Sequence, residues 1–219
     1  NYAKAAGLGN AGAMAALGSR LLSGDEKTRD EAKGREWLKK AIAAKEYSAY
    51  LALGDYEENV KKDNKAALAE YERGKDAAAQ FKLVKIYLKS NRVDDAIEIL
   101  QDLQHNDAYE TRAVKILGLC HWQKNLHFLA WQKFRQLRPN EEIRDILYRL
   151  GTDMEATGQL NNALLVYEHI AGESPDYRDV SAKVKKIKYR MKVQQEEAEQ
   201  NKNNILTDPR FTIIEEINR

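Results

Sequence analysis

The chain contains little of what interrupts or cross-links a protein. Its 219 residues include one cysteine, three prolines and twelve glycines. So few prolines and glycines leave long stretches free to form helix and provide few tight turns, which disfavours an all-β fold. The single thiol, Cys120, excludes an internal disulfide, so nothing in the chain requires an oxidising compartment. We expect Cys120 to be a small buried side chain rather than a reactive one.

A strong net charge and long apolar runs are also missing. The 36 Lys and Arg residues are balanced by 34 Asp and Glu residues, for a formal net charge of +2. That balance provides no overall field that would attract nucleic acid. No apolar run approaches the ~20 residues of a membrane-spanning helix. With 43% hydrophobic and 32% charged residues, the composition predicts a soluble protein with its own core and a highly charged surface.

The sequence does contain an internal repeat. Small residues recur at intervals of 36, 30, 34 and 33, namely Gly18, Gly54, Val84, Gly118 and Gly151. A second small residue follows in each segment: Gly34, Ala67, Ala96, Ala130 and Ala163. A large residue comes four positions later: Leu38, Tyr71, Leu100, Phe134 and Tyr167. Because small residues let two helices approach while large ones fill the adjoining gap, each segment is predicted to be a helix hairpin. Such hairpins bury their faces by stacking, which predicts a right-handed α-solenoid with a concave side.

The residues of the repeat resemble two related families. Near the N-terminus, the segments Tyr2–Gly7, Leu17-Gly18, Trp37–Ala41 and Leu53-Gly54 resemble the Sel-one-like repeat. From about residue 78 onward the segments resemble tetratricopeptide repeats. The resemblance implies an all-α fold with four parts: Sel-one-like repeats over 1–76, tetratricopeptide repeats over 77–175, a capping helix over 176–200 and a linker tail over 201–219.

Three positions depart from the repeat pattern. Gly34 stands where the pattern has alanine, the segment that begins at Gly54 carries one extra residue, and the junction around Gly74 to Ala79 is short. The short junction leaves the curvature of the superhelix open at this point.

One stripe of residues on three successive first helices is predicted to face the concave groove. It comprises Phe81, Lys85, Leu88, Arg112, Lys115, Leu119, Trp122, Tyr148, Thr152 and Glu155. Aromatic anchors with a rim of mixed charge are typical of protein-binding surfaces. We predict a groove for a protein or peptide, with Phe81, Trp122 and Tyr148 as anchors. Leu119 occupies the position where chaperone-binding tetratricopeptide arrays carry an asparagine, so that specificity is not expected.

Other motifs have ordinary structural explanations. The run Gly7-Leu8-Gly9-Asn10-Ala11-Gly12 matches the spacing of a dinucleotide-binding loop, but no strand precedes it, so a turn between helices is predicted. The four histidines lack zinc-site spacing, and no catalytic constellation is evident. We therefore expect no catalytic residues, no metal and no cofactor. Six basic residues and no acid lie between Lys183 and Lys192, which we interpret as the solvated face of the cap, with attraction of an anionic surface as the alternative.

The C-terminal residues suggest a neighbouring domain. Residues 210–219, from Arg210 through the strand-like Phe211–Ile217 run, resemble the opening strand of bacterial eukaryotic-like Ser/Thr protein kinases, just before their glycine-rich loop. The resemblance implies that this repeat region adjoins a cytoplasmic kinase and is not itself an enzyme. It would recruit partners or substrates to the kinase, or regulate it. The alternative is a structural scaffold of an envelope or polysaccharide-export complex, in which case a periplasmic location applies. The partner and the oligomeric state stay open.

Overall fold

The protein is all-α in the part of the chain that the computed structural model describes, which is residues 2–25 and 27–207, with side chains through residue 203. No strand occurs in these ranges. The elements in chain order are α1 Tyr2–Gly7, α2 Ala11–Ser23, α3 Glu31–Ala43, α4 Ser48–Tyr56, a π-helix Glu57–Lys61, α5 Asn64–Arg73, α6 Ala77–Lys89, α7 Val93–Leu103, α8 Glu110–Gln123, α9 His127–Phe134, α10 Glu141–Ala156, α11 Leu160–Glu173 and α12 Val180–Thr207. The predicted all-α class is confirmed.

The chain divides into two compact units within helix α8. Unit 1 is Asn1–Cys120 and unit 2 is His121–Arg219. Consecutive helices pack as pairs in each: α2 with α3, α4 with α5 and α6 with α7 in unit 1, and α10 with α11 in unit 2. In unit 2 the last helix, α12, also packs on α11.

The repeated small and large residues lie where the helix pairs meet. All five large residues predicted to fill the gap, from Leu38 to Tyr167, are fully buried. A Cβ added at Gly54 would lie 2.3 Å from Tyr71 Cε1, and one at Gly151 would lie 2.9 Å from Tyr167 Cε1. The absence of a side chain at these two glycines is therefore what allows a tyrosine ring to pack against the first helix.

Gly34, which departs from the pattern, has a packing reason. A Cβ on Gly34 would lie 2.8 Å from Leu22 Cδ2 and 3.1 Å from the Gly18 carbonyl oxygen. A Cβ on Gly18 would lie 2.9 Å from the Gly34 carbonyl oxygen. Helices α2 and α3 thus approach through two facing glycines, and an alanine at either position would force them apart.

The turns inside the hairpins repeat in step with the sequence. From the α4–α5 hairpin onward, each of these turns contains one residue with left-handed backbone: Lys62, Asn91, Asn125 and Gly158. Their intervals of 29, 34 and 33 equal those of the second small residues, from Ala67 to Ala163. In the later turns the next residue donates its N–H to the carbonyl five residues back, as Arg92 does to Tyr87 at 2.8 Å. This bond closes the first helix in the manner of a helix C-cap.

The extra residue of the Gly54 segment is accommodated by a π-helix. Residues Glu57–Lys61 follow α4 directly and have π-helical hydrogen bonding. The turn bond that spans five residues in the three later hairpins spans six here, because Asp63 N–H donates to the Glu57 carbonyl at 2.9 Å. One inserted residue in a helix produces this local widening, so the length anomaly in the sequence corresponds to a defined structural feature.

The sequence also predicted a turn near the N-terminus and a linker with a strand at the C-terminus. The glycine-rich run after Gly7 is a turn: Gly9 has φ +90° and the Asn10 side chain caps α2 through Ala13 N–H at 2.8 Å. Helix α12 continues to Thr207, so residues 201–207, which we expected to be linker, are helical. The strand expected at 210–219 lies outside the described residues.

Candidate functional site

The ten residues of the predicted stripe are distributed over both units. Unit 1 contains Phe81, Lys85 and Leu88 on α6, and Arg112, Lys115 and Leu119 on α8. Unit 2 contains Trp122 at the end of α8, and Tyr148, Thr152 and Glu155 on α10. The two sets have different surroundings.

Phe81 is not an accessible anchor. Its side chain is 5% exposed. The Arg112 guanidinium carbon lies 4.3 Å from the centre of its ring, and the Tyr109 ring lies 5.3 Å away. The surface at this point is therefore formed by the Arg112 cation, which is stacked on an aromatic face. The sequence pattern predicted Phe81 as an accessible anchor and could not show that Arg112 covers it.

The other unit 1 stripe residues form a mixed surface. Lys85 is exposed, with Nζ 6.0 Å from the centre of the Phe81 ring. Leu119 is 39% exposed, whereas Leu88 packs partly against the core. Lys115 is half-buried. This surface combines the cations Lys85, Arg112 and Lys115 with one exposed leucine, Leu119, and the predicted stripe contributes no acidic residue in this unit.

A polar network in unit 1 lies outside the predicted stripe. The Tyr71 hydroxyl donates to Asp55 Oδ1 at 2.8 Å and to Glu58 Oε2 at 3.0 Å. Lys82 Nζ lies 2.6 Å from Asp55 Oδ1 and 3.5 Å from Glu58 Oε2. Burial, together with the two carboxylates, raises the pKa of Tyr71 far above its ordinary value. The sequence signal was available, because Asp55 and Glu58 stand one and four residues after Gly54, as Thr152 and Glu155 do after Gly151.

A cavity of about 280 Å³ adjoins this network between α2 and the α4–π-helix segment. Its lining combines apolar and polar side chains: Ser19, Leu22, Ser23, Ala52, Asp55, Tyr56, Asn59 and Val60. Two of these residues, Asn59 and Val60, belong to the π-helix. The inserted residue therefore contributes directly to the shape of this cavity.

A second charged cluster joins α3 to the π-helix. Arg35 pairs with Glu57 and, at 3.1 Å, with Glu31. Lys61 Nζ lies 3.0 Å from Glu31. A hydrogen bond from Tyr56, followed by those from Lys61 and Arg35, lowers the pKa of Glu31 to about 2. This cluster fixes the π-helix against the neighbouring hairpin through charge-assisted hydrogen bonds.

Trp122 in unit 2 is held in a single position. Its indole Nε1–H donates to Asp153 Oδ2 at 2.8 Å, and its ring meets Phe134 edge-on at 6.4 Å. The side chain is half-buried, so one part of the ring packs on the core while another part is accessible. A tryptophan fixed in this way loses little conformational entropy on binding.

The predicted residues of α10 pair with α11, with α12 and with the residues that lead into α12. The Tyr148 hydroxyl donates to Asp179 Oδ1, and Glu155 Oε2 accepts from Lys183 Nζ at 2.9 Å. The Thr152 and Tyr167 hydroxyls are 3.2 Å apart. The sequence identified the α10 side of these pairs and missed their partners.

Aromatic rings and cations alternate along this face of unit 2. Arg178 lies 4.8 Å from the centre of the Tyr148 ring, and Lys183 Nζ lies 5.2 Å from that of Tyr167. Burial, together with the hydrogen bond to Asp179, raises the pKa of Tyr148 to about 12. Burial would lower the pKa of Lys183, but its hydrogen bond to Glu155 and its contact with Tyr167 raise it instead. Tyr148 and Tyr167 therefore stay neutral and Lys183 stays charged at neutral pH.

Three adjoining cavities follow helix α12 in unit 2. Their volumes are about 320, 390 and 250 Å³, and Arg190 lines all of them. The first contains Thr152 and Glu155 from the predicted stripe. We call this set of cavities the α12 trough. Its lining is Thr152, Glu155, Ala156, Gly158, Leu160, Asn161, Lys183, Tyr189, Arg190, Met191, Val193, Gln194 and Gln195.

No protein-family model and no curated protein matches this chain. The surfaces of the two units are therefore interpreted from their own geometry.

Residues considered for other chemistry are in ordinary environments. Cys120 is buried, and burial raises the pKa of its thiol. Trp131 is buried in the core of unit 2. Over residues 2–25 and 27–207, no group of three or more His, Cys, Asp or Glu side chains is placed to hold a metal ion. None of the helices described is long and apolar enough to cross a membrane.

Proposed function

We propose that this chain is a protein-binding repeat module, in which the helix hairpins stack as a right-handed α-solenoid. It recruits a partner or substrate to an adjoining Ser/Thr protein kinase, or regulates that kinase, in the cytoplasm. The repeated hairpin turns and the buried small-to-large contacts support the stacking. The resemblance of residues 210–219 to a kinase opening strand supports the neighbour.

The position of Trp122 is the observation that carries the binding function. A half-buried indole that is anchored by Asp153 and supported by Phe134 is a rigid aromatic contact in unit 2. Such residues provide a large share of the binding free energy at protein interfaces. In unit 1, the exposed Arg112 guanidinium rather than the buried Phe81 ring is the stripe group available to a partner.

The test is a selection from a random peptide display library with the full 219-residue chain as bait. We expect enriched peptides that contain a common motif. The Trp122→Ala variant should reduce the affinity for the selected peptides by about tenfold or more, because it removes a large contact of the interface.

Trp37→Ala provides the matched control. Trp37 is also half-buried, but it lies on α3 and is covered by Lys40, whose Nζ is 4.6 Å from the ring centre. This variant should retain binding, and circular dichroism should show both variants folded. A library without enriched peptides, or equal affinity of Trp122→Ala and the unsubstituted chain, would contradict the proposal.

The kinase neighbour has its own test. The codons that follow Arg219 should encode a glycine-rich loop and then a strand that carries a lysine, as the resemblance implies. A continuation of helical repeats at this point would contradict the kinase part and leave the binding function to stand alone.

A further inference from the structure

The α12 trough has an excess of positive charge. Lys183 and Arg190 both face one carboxylate, that of Glu155. Lys183 makes a hydrogen bond to it, whereas Arg190 Nη1 is 3.6 Å away, beyond hydrogen-bond distance. The guanidinium carries five N–H donors, and the Arg190 side chain, which lines all three cavities, is 44% exposed. Donors of this group are therefore accessible to a ligand in the trough.

The neighbouring sequence reinforces this charge. Lys186 stands one helical turn from both Lys183 and Arg190 and is exposed. No acidic residue occurs between Lys183 and Lys192. Within the trough lining, an anionic ligand would therefore meet two cations, Lys183 and Arg190, and a single carboxylate, Glu155, that Lys183 already engages. The next carboxylate along α12 in contact with the lining is Glu199, which accepts from Gln195 Nε2 at 3.4 Å.

Amide side chains line the remainder of the trough. Asn161 lies at the start of α11, and Gln194 and Gln195 lie on α12. Each amide offers both donors and an acceptor, which is the pairing that an exposed peptide backbone needs. A phosphate group only accepts hydrogen bonds, and a helical ligand has already satisfied its own backbone. The combination of amides with cations thus favours an extended acidic peptide over a free phosphate group or a helical ligand.

We propose that the α12 trough binds an acidic peptide segment in extended conformation, with a ligand carboxylate on the Arg190 guanidinium. The proposal rests on the protein-binding function given above and names the class of partner. Leu160, Met191 and Val193 provide apolar contacts between the polar ones, as in other peptide sites.

The test uses a short fluorescein-labelled peptide of alternating Glu and Ser, with the full chain titrated into it and fluorescence polarisation as the readout. We expect saturable binding, and none for the matching peptide of alternating Lys and Ser. Arg190→Gln should weaken the affinity by about tenfold or more, because a charge-assisted hydrogen bond to a carboxylate is lost.

Lys188→Gln is the matched control. It removes the same charge two residues away, but Lys188 pairs with Glu168 on α11 at 2.7 Å and does not line the trough. Its affinity should stay within about twofold of the unsubstituted chain, since only the screened long-range field changes. An equal loss of affinity in Arg190→Gln and Lys188→Gln would show that the peptide is attracted only by the overall charge of the helix, and it would overturn the proposal.

Contact at the amides is read independently. Upon addition of the acidic peptide, the side-chain NH₂ resonances of Asn161 and Gln194 should shift in a proton–nitrogen correlation spectrum, whereas those of Asn59 in unit 1 should not. Unshifted trough amides would overturn the proposal, as would stronger binding of a single-stranded oligonucleotide or of anionic lipid vesicles than of the peptide. If library peptides still require Trp122 while the acidic peptide does not bind, only the trough proposal fails. If neither binds, both fail.

Discussion

The two units contain the same constellation of residues with different chemistry at one end. In unit 1 it consists of Gly54, Asp55, Glu58, Tyr71 and Lys82, and in unit 2 of Gly151, Thr152, Glu155, Tyr167 and Lys183. In both units, the glycine leaves room for a buried tyrosine ring. A glutamate four residues after that glycine pairs with a lysine on a later helix, α6 in unit 1 and α12 in unit 2. The tyrosine hydroxyl meets two carboxylates in unit 1 and a threonine hydroxyl in unit 2.

The difference shows which part of the repeat is constrained. The positions of the tyrosine rings follow from packing, because each ring fills the space that a Cβ on the facing glycine would occupy. The hydroxyl end lies at the edge of the pair, where carboxylate, hydroxyl and ammonium groups all satisfy the phenol. The surface chemistry can therefore differ between units while the hairpin stays the same, and the predictions below test that separation.

The largest effect is expected at the glycine that packs most closely on its tyrosine. Gly54→Ala should destabilise the protein by about 3 kcal/mol, because its Cβ would lie 2.3 Å from the Tyr71 ring and force it to move. Gly151→Ala, at 2.9 Å from Tyr167, should cost about 1–2 kcal/mol. Urea denaturation measures both values, and hydrogen exchange resolved by peptide assigns the loss to a unit.

Gly172→Ala is the control for the effect of alanine itself. It lies in α11 with nothing within 4 Å of a Cβ, so the substitution should stabilise by up to about 1 kcal/mol through helix propensity. Equal losses at Gly54 and Gly151, or any loss at Gly172, would contradict the packing explanation.

The hydroxyl of Tyr71 should contribute more than that of Tyr167. Tyr71→Phe removes hydrogen bonds to both Asp55 and Glu58 and should cost about 1–2 kcal/mol. Tyr167→Phe removes the 3.2 Å contact with the Thr152 hydroxyl and the hydrogen bond with Lys183, and should cost about 1 kcal/mol. Denaturant midpoints at neutral pH measure both losses of stability. A larger loss for Tyr167→Phe than for Tyr71→Phe would contradict the prediction that the Tyr71 hydroxyl contributes more.

Unit 2 should be sensitive to alkali through Tyr148. The fold raises the pKa of Tyr148 from the ordinary value of 10 to about 12 and so favours the protonated phenol. Its contribution to stability is complete below pH 10 and is lost as the pH rises towards 12. Titration of phenolate absorbance should show one tyrosine that ionises near pH 12, and Tyr148→Phe should abolish that step. A titration in which this step persists in the variant would assign it to another residue.

The smallest effect is expected at the exposed charge cluster of unit 1. The fold lowers the pKa of Glu31 from 4.5 to about 2, so it favours the ionised carboxylate. Its contribution is present above pH 4.5 and is lost as the pH falls towards 2. Glu31→Gln should reduce stability at neutral pH and flatten the dependence between pH 5 and 2, as measured by urea midpoints. Added salt should weaken the effect because the cluster is accessible to solvent.

Much of the fold was predictable because helices that pack in pairs require small residues at regular intervals along the chain. Glycines and alanines at near-constant intervals indicated the helix pairs, and the one-residue excess after Gly54 indicated a local departure, which the structure shows to be a π-helix. The α10 side of the unit 2 surface was predictable for the same reason, since Thr152 and Glu155 stand at fixed offsets from Gly151.

The sequence alone therefore determined which residues lie at helix contacts, because the periodicity of a helix is local. Only the tertiary structure decided which side chains cover, anchor or line each of these positions. Arg112 covers Phe81, Asp153 anchors Trp122, and Arg190 joins three cavities. These outcomes depend on the rotation and crossing of helices about thirty residues apart. A shift of one residue turns a side chain by about 100°, which separates a buried ring from an accessible one.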